Sequence, residues 1–168
     1  MKQIRRGVFE TNSSSSHSIS FTSMKPSLEY CEIEDQVYFG EYGWGVEVLK
    51  YSFQKLSYVL TSIQYMADDE DHIWRSDEDQ NLTKLDELVE QSKYVRWLHE
   101  MVLDHTGNDF DLILESGGWG RFGLGYIDHQ SNDLLSELWS KDEKKFKDNM
   151  RRLIFDSNCS IIIDNDNH

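Results

Sequence analysis

Two hydrophobic periods alternate along the chain and divide it into extended and helical stretches. Residues 2–9, closing on Gly7-Val8-Phe9, predict a first strand, and Ile19-Ser20-Phe21 alternates with period two as a second extended piece. Between them, residues 11–18 read Thr-Asn-Ser-Ser-Ser-Ser-His-Ser and predict a polar turn, because serine and asparagine side chains compete with the backbone ladder. Residues 30–39 alternate again, and three glycines in residues 40–45 predict an irregular loop after that strand. From Ser52 the period changes: Phe53, Leu56, Val59, Leu60, Ile63 and Met66 predict an amphipathic helix that lies on a sheet, with Ser52 as N-cap. Leu82, Leu85, Leu88, Val89, Val95, Leu98, Met101 and Val102 mark one long helix or two abutting ones, stopped near Gly107.

The second half repeats the theme. Residues 110–115 predict a strand, and residues 116–125 are the most glycine-dense stretch, read as a hairpin loop. Leu134, Leu135, Leu138 and Trp139 stand at helical spacing, residues 143–155 form a further helix carrying most of the C-terminal lysines and arginines, and residues 159–163 have the composition of a buried strand. Extended pieces at the start, middle and end, separated by helices, predict an α+β fold. The expectation is a single compact domain over residues 1–168, a mixed sheet with N- and C-terminal strands, and three to four packed helices. Residues 160–163 are placed centrally in the sheet, near the strand of residues 110–115.

Composition narrows the function classes. The 168 residues carry 17 Lys and Arg against 31 Asp and Glu, a formal charge of −14. That field repels phosphate backbones and anionic lipid, and speaks against direct nucleic-acid binding. Seven of the twelve residues 68–79 are acidic and predict a solvated surface loop. Cys31 and Cys159 are too few for a disulfide scaffold, no signal-peptide core follows Arg5 and Arg6, and no window is apolar enough to span a bilayer. A cytoplasmic, unanchored protein is expected.

Four segments hold most of the reactive side chains: residues 12–18, 117–121, 128–131 and 164–168. If strands of one sheet carry them, their loops meet in a shared cleft. Serine hydroxyls and turn amides suit a phosphate, so Arg6, Asn12, Ser13, Ser14, Ser15, Arg121 and Ser131 are candidate ligands for a phosphate- or nucleotide-like group. His17 with Asp128 and His129 is a candidate acid/base set, and Asp164 with Asp166 supplies oxygen donors for Mg²⁺ or Ca²⁺. None of these has diagnostic spacing. A flexible turn, an Asp128 N-cap and a solvated C-terminal tail are the plain alternatives, and no cofactor is specified. The aromatic run at residues 38–44 either stacks on a ligand or joins the core.

Residues 6–18, Arg-Gly-Val-Phe-Glu-Thr-Asn-Ser-Ser-Ser-Ser-His-Ser, resemble the opening of a set of small tailed-bacteriophage proteins of undetermined function. Residues 125–131 and the Asn-Asp-Asn at 165–167 are similar to further segments of those proteins. The resemblance implies a phage origin and a host-cell cytoplasmic setting, with host takeover or defence evasion as context. It brings no activity with it. Three readings follow: an accessory protein that binds a host or defence component, a nucleotide-directed enzyme or sequestering protein using His17 or His129, and an acidic nucleic-acid mimic.

Overall fold

The computed structural model describes residues 2–5, 15–23, 25–28, 36–43, 45–66, 89–113, 125–127 and 134–165. In chain order the elements are β1 (Lys2–Arg5), β2 (Ser15–Phe21), β3 (Gln36–Tyr38), β4 (Glu41–Tyr42), β5 (Glu47–Leu49), α1 (Ser52–Met66), α2 (Lys93–Thr106), β6 (Asp111–Ile113), β7 (Tyr126–Ile127), a 3₁₀ turn (Leu134–Glu137), α3 (Glu143–Phe155) and β8 (Cys159–Asn165). The fold is α+β. A four-stranded antiparallel sheet runs β1-β2-β8-β5, so both terminal strands belong to one sheet and β8 lies inside it. Two short parallel ladders, β3 with β6 and β4 with β7, make the strand pairing mixed.

Two sequence expectations are corrected in the sheet. The serine run does not stay a turn: Ser15 to Ser18 belong to β2, paired on one side with β8 and, from Ser18, on the other with β1. Period two shows in the sequence only from Ile19, yet it extends backwards, because His17 occupies an inward position with Ile19 and Phe21. The ladders satisfy the backbone that serine side chains would otherwise compete for. The strand of residues 110–115, second, does not adjoin β8: β6 pairs with β3, since β2 and β5 already hold both edges of β8.

Helix α1 departs from the expected surface amphipath. Every residue from Lys55 to Ile63 is buried, so the helix lies against the strands as expected but is covered on its other sides as well. Its polar side chains find partners in the interior: Thr61 Oγ1 donates to Ser57 O at 2.8 Å, and Ser62 Oγ donates to Tyr58 O at 2.8 Å. The N-cap is also displaced. Tyr51 O accepts from Lys55 N, and Gln54 Oε1 reaches back to the amides of Lys50 and Tyr51, half of a capping box, so Ser52 lies already inside the helix.

Residues 89–91 are helical and Ser92 breaks the run, accepting from Val95 N as the N-cap of α2, so this region forms two abutting segments. Gly107 ends α2 with φ 71°, its amide donating to Leu103 O at 2.8 Å. Asp142 caps α3 by accepting from Lys145 N at 2.8 Å. Leu134 to Glu137 form a 3₁₀ turn in place of the expected α-helical start. Tyr94, Trp139 and Phe146 meet with ring centroids 4.6 to 5.4 Å apart, joining α2, α3 and the turn between them. The buried Leu56, Leu60, Ile63, Leu98, Met101, Leu153 and Ile154 each contribute about 1.5–3 kcal/mol by leaving water.

Candidate functional site

One turn of α1 organises a concave surface of the protein. Ser57 and Thr61, four apart and therefore on one helix face, hold the β3–β4 segment down. Ser57 Oγ donates to Tyr38 O, Thr61 Oγ1 accepts from Gly40 N at 3.0 Å, and Tyr42 OH donates to Ser57 Oγ at 2.8 Å. Gly40 O in turn accepts from Tyr126 N at 2.9 Å, which joins β7 to the same segment. Behind it Tyr42 meets Tyr58 with centroids 4.9 Å apart, and Tyr58 OH meets His17 Nδ1 at 2.8 Å.

The segment so held forms one wall of a pocket of about 180 Å³, with β5 and the first turns of α1 as the others. Tyr38, Tyr42 and Phe53 supply aromatic surface, Val37 and Leu49 aliphatic surface, and Glu41 and Glu47 exposed carboxylates. None of the described lining residues is Lys, Arg or His. Burial pushes the Tyr42 hydroxyl well above the usual tyrosine range, the Ser57 hydrogen bond opposes this, and the charges of Tyr38 and Glu47 add to it. Tyr42 is therefore a neutral wall at physiological pH.

Several apolar side chains of this stretch face water: Tyr38 on the lining is 48% exposed and Tyr51 67%, while Val46 and Val48 are 60% and 44% exposed, Val48 on the face of β5 opposite Glu47 and Leu49. Tyr51 stacks on Phe53, a lining residue, with centroids 6.0 Å apart. Tyr38 and Tyr51 thus leave aromatic surface exposed at the pocket, and exposed apolar surface of this kind marks interaction sites.

Comparison of the chain with protein-family models, curated proteins and solved structures finds no match. The site is read from its own chemistry.

The residues proposed from sequence are distributed as follows. Arg6, Asn12, Ser13, Ser14, Arg121, Asp128, His129, Ser131 and Asp166 lie outside the described residues, as does the acidic run at 68–79. Ser15 and Ser16 stand opposite Asn165 and Asp164 across β2 and β8, so the N- and C-terminal polar stretches do meet, as paired strands. His17 is 0% exposed and points into the core, where Tyr58 OH stands 2.8 Å from its Nδ1, and its proposed acid/base partners Asp128 and His129 lie outside the described residues. His17 pairs with Ile163, buried on the same face, and Asp164 one residue further faces the opposite side and is exposed. Among the described residues no three His, Cys, Asp or Glu side chains group to hold a metal ion. His99 bonds Asp109 at 2.6 Å and His105 stacks on Phe155 at 3.9 Å, both structural contacts.

Two features escaped the sequence reading. Lys55, 1% exposed, donates from Nζ to Asp156 O at 3.0 Å and Cys159 O at 3.1 Å. Asp156 Oδ1 accepts from Ser27 N and Asn158 N, so this cluster fastens residues 27–28, the end of α3 and the start of β8. Lys55, Asp156 and Cys159 are buried, and Cys159 is a free thiol that burial pushes up to about 11, against the lowering influence of Lys55. The pocket is the second. The signal for it is Ser57 and Thr61 at i, i+4 on α1, following an aromatic run.

Proposed function

We propose that the protein acts by binding a partner protein through the surface around the pocket mouth. The observation that carries this reading is an open, aromatic pocket with Tyr38 exposed on its lining, Tyr51 exposed against Phe53, and Val46 and Val48 exposed along the adjoining edge strand β5 and the residue before it. At about 180 Å³ the pocket is below the roughly 300–1,000 Å³ of sites for drug-sized ligands, which favours one inserted side chain over a nucleotide. The formal charge of −14 favours a basic partner face. We propose a host or defence component in the host cytoplasm as the partner, the setting implied by the resemblance of residues 6–18 to tailed-phage proteins. Among the described residues no helix is long and apolar enough to cross a membrane.

The nucleotide reading has less support. His17 is enclosed, the described pocket carries carboxylates where a phosphate needs donors, and most of the proposed phosphate ligands lie outside the described residues. Duplex mimicry rests on residues 68–79, which also lie outside them.

The test is capture from host-cell extract by immobilised wild-type protein, by the combined Val46→Thr, Val48→Thr and Tyr51→Ser variant, and by Leu103→Thr as control at an exposed apolar position of α2. A discrete partner retained by wild type and control but lost by the triple variant is the expected result. Retention by all three overturns the assignment of this surface.

A further inference from the structure

We propose that the pocket receives an arginine side chain presented by an extended segment of the partner. This rests on the partner-binding reading and specifies its chemistry. Three aromatic residues, Tyr38, Tyr42 and Phe53, line a space sized for one side chain. A guanidinium is planar, weakly hydrated and always charged, so it lies against aromatic faces while its N–H fork reaches carboxylates. Glu47 stands on the lining and is exposed, with Glu41 also on the lining, and Tyr42 stays neutral beside them. An anionic or purely apolar occupant would leave the Glu47 carboxylate beside a like charge or stripped of water without compensation.

The position of the pocket selects an extended occupant. Among the described residues β5 is the outermost strand of its sheet, and its Glu47 and Leu49 both line the pocket while Val48 between them does not. A segment laid along that edge pairs through its backbone and directs alternate side chains into the pocket. Val48 and Val46 then meet the flanking residues of the segment.

The experiment titrates the full-length protein with the peptide acetyl-Thr-Val-Thr-Arg-Thr-Val-Thr-amide, with the same peptide carrying citrulline for arginine, and with free arginine amide. Calorimetry reads affinity, and amide shifts of residues 47–49 read location. Citrulline keeps the shape and removes the charge. We expect it to bind at least about tenfold more weakly, the equivalent of one charge-assisted contact. Glu47→Gln, at an exposed position, is expected to weaken the arginine peptide by a similar factor with an unchanged melting temperature. Free arginine amide is expected to bind more weakly than the peptide.

Equal binding of the citrulline peptide, indifference to Glu47→Gln, or no binding of the arginine peptide overturns the inference. Free arginine amide binding as tightly as the peptide overturns the extended protein source. If the triple variant loses the captured partner while the arginine peptide fails, the docking surface stands and the arginine assignment falls. If the peptide binds at residues 47–49 but capture ignores the triple variant, the pocket chemistry stands and the partner reading falls.

Discussion

Replacing Gly125 by alanine isolates the contact that builds the back of the pocket. Gly125 has φ +80°, and a Cβ there would sit 2.4 Å from Gly40 O and 3.0 Å from the carbonyl carbon of Phe39. Gly107 has a similar φ of +71° but nothing within 4 Å of its would-be Cβ. Both substitutions incur the left-handed conformation penalty, about 1–2 kcal/mol. Only Gly125→Ala must also drive Gly40 O away, and that oxygen accepts from Tyr126 N at 2.9 Å. Breaking this bond and leaving buried backbone groups poorly paired adds about 2–3 kcal/mol. For a chain of this length each kcal/mol moves Tm by roughly 2–4 °C, so Gly125→Ala is expected to melt roughly 4–12 °C below Gly107→Ala. Thermal unfolding of the two variants side by side, followed by circular dichroism, is the assay. Equal melting temperatures would refute the reasoning, because they would show that β7 does not lie against Gly40 as described.

Three further outcomes follow from other parts of the molecule. Lys55→Met removes the ammonium from Asp156 O and Cys159 O and is expected to lower stability by about 1–3 kcal/mol in urea titration, the unmet carbonyls outweighing the relief of a buried charge. Unchanged stability would show that the ammonium is dispensable. The His99 hydrogen bond holds the Asp109 carboxyl below its ordinary range, opposed by slight burial and aided by the Phe110 amide. A carboxylate whose folded pKa is lowered stabilises the fold above its unfolded pKa and stops doing so as pH falls through the folded one. Asp109→Asn is therefore expected to be less stable than wild type at pH 7, by under about 1 kcal/mol for so exposed a pair, and the gap should close on acidification. A gap independent of pH contradicts that assignment. Cys159, its thiol pushed up to about 11 by burial, is expected to resist iodoacetamide at pH 8 in the native protein and to react on unfolding, as read from its peptide by mass spectrometry.

Much of the fold was legible because helices announce themselves by period and caps. The residue range of α3 and the Gly107 stop of α2 follow from spacing alone, since both helices have one apolar face and a conventional end. Residues 160–163 were legible as an inner strand from three consecutive isoleucines. Other features were not legible, each for a local reason. His17 looks reactive in a serine run, and its Tyr58 hydroxyl partner in the core is 41 residues away in sequence. Glu47 to Leu49 is too short to show a period, and its pairing with β8 is a long-range choice. Lys55 reads as a solvated residue on a helix and is held inside by two carbonyls a hundred residues away in sequence. The pocket depends on two backbone groups, Tyr38 O and Gly40 N, and the Tyr42 hydroxyl meeting hydroxyls of α1, partners 15 to 21 residues away in sequence.

The docking surface itself is tested most directly by placing a photo-crosslinking side chain at position 48 or, separately, at position 103 and irradiating each protein in host-cell extract. Val48 and Leu103 are similarly exposed, at 44% and 40%, so exposure alone does not distinguish them. A discrete covalent adduct from position 48 and none from position 103 is the predicted result. An adduct from position 103 alone, or the same products from both positions, would contradict the assignment of the partner to the β5 edge beside the pocket.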